Sequence, residues 1–451
     1  MGADRNVGSS ATGATSAASG ESHCTGQGEG LIEQMIERGN LEAAWKRVRS
    51  NKGAAGVDGL DIEGTAALIR WEWDAIKARL SAGTYRPRSV RRVEIPKANG
   101  GTRKLGVPTV LDRFIQQAAL QVLSPLFEPG FSEHSYGFRP GRSAHQAVIA
   151  ARGYQKDGKR WVVDLDLASF FDEVNHDLLM ARVRRKVGDV RMLKLIRSFL
   201  NSGVMAGGVT QPTEKGTPQG GPLSPLLSNI LLDDLDKELG KRGHRFCRYA
   251  DDCNIYVGSR RGGERVMDSI TRFLEGDMKL KVNREKSAVA RPVTRVFLGY
   301  SFTAHKDTKI RVPQETCTKM RAKLKQHFRQ GRGRNIERFI RETLNPLLRG
   351  WMNYFHLSET NGFAEELDSW IRRHLRCLIW RQWKRTTTRF KRLRALGLEY
   401  DRVRQSVGNG RGAWFNSGAS HMHAALPAKS FAAMGLINLL DSLTTFATST
   451  S

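Results

Sequence analysis

Apolar positions recur every three to four residues towards both ends of the chain. Leu31, Met35 and Ile36, and then Leu68, Ile69, Trp73, Ile76 and Leu80, mark two amphipathic helical stretches. A Gly-rich connection at residues 53–59 separates them. Residues 91–97 and 102–107 read as two short strands joined by a tight turn, and residues 113–126 are helical again. The middle of the chain carries the strand signals. Residues 160–167 form one strand-like run, with a helix following from Asn175. Residues 245–249 and 254–257 form two more strands, flanking Ala250, Asp251 and Asp252. That pattern predicts a hairpin with two carboxylates at its tip. Beyond about Pro313 helical spacing takes over, through Ile336, Phe339, Ile340, Leu344, Leu347, Leu348 and Trp351, then Leu367, Trp370, Ile371 and Leu378.

The 451 residues suffice for two or three packed units, and 39% hydrophobic content excludes a wholly disordered chain. No run reaches the roughly 18–20 uncharged apolar residues of a membrane helix. Residues 1–30 are rich in Gly, Ser, Ala and Thr, read as a flexible tail, and lack the apolar stretch of a secretory signal, so a cytoplasmic location is expected. The five cysteines form no C-x-x-C pair, which argues against a disulfide framework and a zinc ribbon. Charge changes the picture most. Lys and Arg number 73 against 45 Asp and Glu, a formal net charge of +28, which points to a polyanionic partner such as nucleic acid. Residues 318–404 alone hold 22 Lys and Arg against 8 Asp and Glu, half of the whole excess.

Asp166 ends a strand, and Asp251 and Asp252 lie between two others. If those strands are neighbours, three carboxylates converge where Mg²⁺, which prefers oxygen ligands, can be shared with substrate phosphates. An Asp-Asp pair by itself is ordinary turn chemistry. Here it stands in Tyr249-Ala-Asp-Asp252, which resembles the Tyr-x-Asp-Asp box of reverse transcriptases. Asp166-Leu-Ala-Ser-Phe-Phe-Asp172 resembles their upstream metal-binding motif. Gly216-Thr-Pro-Gln-Gly-Gly-Pro-Leu-Ser-Pro-Leu-Leu-Ser-Asn229 is similar to their Pro-Gln-Gly motif in its group II intron form. Tyr85-Arg-Pro87, Ile95-Pro-Lys97, Arg103-Lys-Leu-Gly-Val-Pro108 and Ser135-Tyr-Gly-Phe-Arg-Pro140 resemble the finger blocks. Asn283-Arg-Glu-Lys286 and Phe297-Leu-Gly-Tyr300 resemble the two blocks after the Asp-Asp box. Asn51-Lys-Gly-Ala-Ala-Gly-Val-Asp58 is similar to the N-terminal extension of the group. Arg349-Gly-Trp-Met-Asn-Tyr-Phe355, Trp370-Ile-Arg-Arg373 and Trp380-Arg-Gln-Trp-Lys384 look like the maturase, or X, domain. The sequence therefore resembles a group II intron-encoded reverse transcriptase and maturase of bacterial type.

That resemblance implies an α+β right-hand polymerase fold, with fingers, a palm bearing an antiparallel sheet, and an α-helical thumb/maturase domain. The implied divisions are an N-terminal extension at 31–84, fingers and palm at 85–312, thumb/X domain at 313–441 and a tail at 442–451. It implies two Mg²⁺ ions, with Mn²⁺ as a substitute, at Asp166, Asp251 and Asp252. Phe171 matches the residue that excludes a 2′-hydroxyl; read alone, it would be core packing beside Phe170. Lys97 and Arg103 match residues that hold the triphosphate, while Gln219 and Gly220 match residues lining the nucleotide pocket. Lys286 matches the proposed general acid for pyrophosphate. The implied partners are group II intron RNA, an RNA template, a DNA primer and dNTPs, with association at the nucleoid when DNA is the target. Arg372, Arg373, Arg376, Arg381, Lys384 and Arg385 are expected to meet RNA backbone, with Trp370, Trp380 and Trp383 packing the thumb. No His-Asn-His endonuclease with paired cysteines is expected, since His421-x-His423 has no ligand partners at useful spacing. The rival readings are an RNA-binding splicing factor without polymerase activity and a free-standing reverse transcriptase of defence or repair.

Overall fold

The structure, a computed structural model, describes residues 29–96, 102–206, 209–211, 216 and 220–449. Among these, ten strands follow in chain order: β1 (Val90–Pro96), β2 (Thr102–Val107), β3 (Trp161–Leu165), β4 (Val204–Ala206), β5 (Val209–Gln211), β6 (Arg245–Tyr249), β7 (Asp252–Val257), β8 (Ala288–Ala290), β9 (Ser301–Phe302) and β10 (Ile310–Arg311). They are distributed over two compact units, each assembled from two separate stretches of chain. One comprises the described residues of Met1–Pro129 and His176–Ser224, the other those of Gly130–Asn175 and Pro225–Ser451.

The first unit joins a sheet of order β2-β1-β4-β5 to helices that include Arg38–Ser50, Ile62–Ser81, Val110–Phe127 and Val190–Leu200. The amphipathic spacing of Val190–Leu200 buries Met192, Leu195, Ile196, Phe199 and Leu200 on one stripe. Asp112 fastens Tyr85 and Arg88 to the start of the helix Val110–Phe127. Its carboxylate accepts hydrogen bonds from the Thr109 hydroxyl (2.7 Å), the Tyr85 hydroxyl (2.9 Å) and the Arg88 backbone N–H (3.2 Å). Three donors are what a carboxylate only 1% exposed requires. Burial pushes its acidity towards higher pH, and those donors pull it back.

The second unit is built on an antiparallel sheet of order β6-β7-β3-β8. β3 is its third strand and is covered on both faces, hence the near-continuous apolar run Val162, Val163, Leu165. Val162 packs with Ala147, Val148 and Ala151 of the helix Ala144–Lys156. Val163 points the other way, towards Gly263 of the helix Arg260–Gly276, where a Cβ would come within 2.6 Å of Val289. Helices then continue to the C-terminus around a separate core containing Leu324, Ile340, Leu344, Leu348, Ile371, Leu375, Trp380, Met422 and Phe431. Pro346 has no N–H to give the carbonyl four residues back, and there the helical path widens into a π-turn at Ile340–Leu344 before resuming as Asn345–Phe355.

Most expected elements are present with shifted edges. The strand expected at 160–167 ends at Leu165, and the second hairpin strand begins at Asp252 rather than 254, which tightens the turn. The expectation of a tail from residue 442 is corrected. The helix Leu439–Ser449 covers most of it and buries Leu439 and Leu443 in the C-terminal core. Asp368 caps that helix by accepting from the backbone N–H groups of Leu439 (3.1 Å) and Leu440 (3.3 Å). The tail at residues 1–30 lies almost wholly outside the described residues.

Candidate active site

The register of the second unit's sheet sets the positions of the carboxylates. Leu165 of β3 pairs with Cys253 of β7, so Asp166 and Asp252 lie one position further on, at the same end of adjacent strands. β6 and β7 close with Tyr249 opposite Asp252, leaving Ala250 and Asp251 as the reversal, with Ala250 at φ +57°. Asp166 is held by its backbone: its N–H donates to Ser287 Oγ (3.0 Å) and its carbonyl accepts from the Asn283 N–H (2.9 Å). This brings in the segment carrying Lys286, whose Nζ lies 3.6 Å from Asp166 Oδ2. The structure thus brings Asp166, Asp251, Asp252 and Lys286 together.

The electrostatics follow from crowding. The Asp252 carboxyl is pushed up to about 6, first by loss of water around it and then by the charges of Asp251, Asp164 and Asp166, with Lys286 opposing. Such a concentration of like charge suits a cation, and the oxygen donors fit a hard divalent ion. Among the described residues, however, no three His, Cys, Asp or Glu side chains form a ready ligand set. Lys286 already answers part of the charge.

Asp164 was missed by sequence reasoning, although Asp164-x-Asp166 alternation on one strand was the available signal. It pairs with Arg295 at 2.6 Å, and Arg295 also donates to the Lys286 carbonyl (2.7 Å), so one guanidinium braces the lysine's segment against β3. Phe171 sits in the short helix Phe170–Glu173, which opens from Ser169 at φ +47°. Phe170 is buried and Phe171 only half-buried, with their rings edge to face at 5.2 Å. The core position is therefore Phe170.

Of the residues expected at the nucleotide pocket, Arg103 and Gly220 belong to the first unit and Phe171 to the second. Lys97 and Gln219 lie outside the described residues. Arg103 is placed only by its backbone, opposite Ile95 in the β1–β2 ladder. Gly220 has φ +126°, and a Cβ there would stand 2.5 Å from the Gly106 carbonyl oxygen. Its want of a side chain therefore serves close approach to β2.

On the C-terminal helix Gly362–Gln382 and just beyond it, Arg381, Lys384 and Arg385 are exposed and Arg372 is half-buried. Arg373 lies with its guanidinium carbon 4.3 Å over the Trp414 ring. Arg376 departs from expectation: it is buried, donates to the Leu426 carbonyl at 3.0 Å and lies over the Phe431 ring. Its guanidinium is committed inside the domain. Trp380 is buried, and Trp370 and Trp383 pack against the same core. No helix among the described residues is long and apolar enough to cross a membrane.

Comparison with known proteins agrees with this geometry. Residues 95–302 match the family model described as reverse transcriptase (RNA-dependent DNA polymerase), and residues 317–397 match the group II intron maturase-specific domain. Protein YkfC of Escherichia coli is 34% identical over 316 residues, covering 61% of this chain and 82% of that protein. Group II intron-encoded protein LtrA of Lactococcus lactis is 33% identical over 300 residues, covering 66% of this chain. The putative COX1/OXI3 intron 2 protein of Saccharomyces cerevisiae is 25% identical over 420 residues. The chain spans about half the length of these last two, 47% and 49%. Reverse transcriptases are in general dependent on divalent metal, which the carboxylate cluster suits. With both family models matched in order and the palm carboxylates assembled, the chain belongs to the group II intron-encoded reverse transcriptases, RNA-directed DNA polymerases that carry a maturase domain.

Proposed function

We propose that this chain extends the 3′-hydroxyl of a DNA primer with dNTPs on an RNA template, and that its helical C-terminal region, residues 313–441, binds group II intron RNA to assist splicing and retrohoming. The observation that carries the reading is the meeting of Asp166, Asp251 and Asp252 at one end of adjacent strands with Lys286 beside them. These aspartates would hold two Mg²⁺ ions, or Mn²⁺ in their place. When bound, such ions offset negative charge on the attacking and departing oxygens. Lys286, held near Asp166, would give a proton to the departing pyrophosphate. Phe171, free of the core role taken by Phe170, would close the space that a ribose 2′-hydroxyl needs. Lys97, Arg103 and Gln219 would bind the triphosphate and line the pocket. Exposed Arg381, Lys384 and Arg385 would meet RNA phosphates. Residues 31–84 would form the N-terminal extension and 85–312 the fingers and palm, with the protein working in the cytoplasm and at the nucleoid.

Primer extension on an RNA template with Mg²⁺ tests the reading. Wild type should make DNA, and Asp251→Ala should make essentially none. A folded wild type that binds group II intron RNA in preference to unrelated structured RNA but makes no DNA would leave only the splicing role. Polymerisation without that preference would favour a free-standing enzyme.

A further inference from the structure

Beneath the Ala250–Asp251 reversal lies a buried ion pair that the proposed chemistry does not use. Arg248 and Asp236 both have side chains 0% exposed. The guanidinium donates from Nε to Asp236 Oδ1 (2.7 Å) and from Nη2 to Asp236 Oδ2 (2.6 Å). Its remaining N–H groups go to Ser135 Oγ (2.7 Å), Asn229 Oδ1 (2.9 Å) and the Ala250 carbonyl (3.0 Å). An arginine has five N–H donors, and all five are used. The acceptors are themselves fixed. Asn229 is buried and donates its amide to the Gly137 carbonyl at 2.8 Å. Ser135 is buried too, and its segment is stitched to Arg248 by backbone hydrogen bonds, Arg248 N–H to the His134 carbonyl and Tyr136 N–H to the Arg248 carbonyl. Gly137 presses against the turn so closely that a Cβ would stand 2.3 Å from the Ala250 nitrogen.

Stability alone does not account for this arrangement. Two well-packed apolar side chains commonly serve a core as well as a buried ion pair, or better. An apolar pair cannot, however, hold the carbonyl of Ala250, a non-glycine residue in the left-handed region whose peptide leads directly into Asp251 and Asp252. We propose that Arg248, clamped by Asp236, Asn229 and Ser135, is a positioning residue that fixes the Ala250 peptide and so aims the two carboxylates at the reacting phosphate during each nucleotide addition. This rests on the polymerase reading above. If wild type makes no DNA, it is that reading which fails, and the positioning role falls with it.

The test uses the full chain with two variants. Arg248→Met/Asp236→Leu replaces the pair by apolar groups and keeps the core filled. Arg248→Lys keeps the buried charge pair but gives three donors from one atom, too few for four partners on different sides. Both should bind an RNA–DNA primer–template with wild-type affinity. Both should lose roughly 30–100-fold in kcat with KM for dNTP changed less than about threefold, the scale that misplacement by about 1 Å produces. A readout independent of turnover is Mn²⁺ binding followed by electron paramagnetic resonance, where the midpoint should rise about fivefold or more. If the folded double variant polymerises within about threefold of wild type and binds Mn²⁺ equally, the proposal is overturned. If the double variant does not fold, Arg248→Lys decides by the same two readouts, and wild-type kinetics with a wild-type Mn²⁺ midpoint would overturn it.

Discussion

Asp252 carries a distinct electrostatic signature within the carboxylate cluster. Its carboxyl is pushed up to about 6 in the folded chain, against an ordinary value of about 4 when unfolded, first by loss of water around it and then by the charges of Asp251, Asp164 and Asp166. The sign follows from linkage. A raised folded pKa means that the folded state binds the proton more tightly, so stability falls as pH rises from about 4 through 6 and stays lower above. Asp252→Asn removes the charge. Without divalent metal, the variant should therefore melt above wild type at pH 8, and the gain should fade as pH drops below about 5. Thermal melts at four pH values check this, and a constant gain across the range would contradict it. The three motif aspartates were legible in the sequence because they stand in recognisable strings. The proton affinity of one of them was not, since it depends on a strand register that brings residues 164, 166 and 252 side by side.

At the scale of elements, alternation and helical spacing located the strands β3, β6 and β7 and the long C-terminal helices to within a few residues. What stayed hidden were ends fixed by distant side chains. The helix Leu439–Ser449 is capped by its neighbour Asn438, which accepts from the Leu440 N–H (3.1 Å), and also by Asp368, 71 residues earlier, which accepts from the N–H groups of Leu439 and Leu440; the second partnership is one no local pattern announces. Asp368 is 4% exposed, and Asn345 adds a second tie through the Gly435 carbonyl (2.7 Å). Asp368→Ala should lose about 1–2 kcal/mol, the usual range for a removed N-cap acceptor. The loss should show as faster amide hydrogen exchange confined to residues 439–449. Exchange that speeds evenly over the C-terminal core would instead mean that Asp368 holds the whole domain.

For the whole molecule the net charge of +28 sets the terms of association. Only exposed cations can release counterions, so the buried and exposed members of the arginine set should behave differently. Replacing Arg381, Lys384 and Arg385 together by alanine should flatten the slope of log Kd for RNA against log salt by about 2–3, at roughly 0.7–0.9 per phosphate contact. Arg376→Ala should leave the slope alone and lower the melting temperature, because its partners are Leu426 and Phe431. Filter binding at five salt concentrations separates the two, and an equal effect on slope would place Arg376 at the RNA after all. Charge excess was readable from composition alone, whereas the division between exposed and buried arginines needed the packing of the C-terminal core.

The order of the strands in the palm sheet bears on how the protein is made. β3 leaves the ribosome early, but its two neighbours are β7 and β8, the second of which ends more than a hundred residues later. At about 5–20 residues per second, an apolar strand with both edges bare waits for several seconds while the rest of its sheet is synthesised. Nascent chains that stall after β3 has cleared the ribosome and before β7 is made thus present Val162, Val163 and Leu165 to any other strand within reach. Chaperone demand and loss to aggregation should concentrate in that window of translation, set by topology and not by the stability of the finished fold.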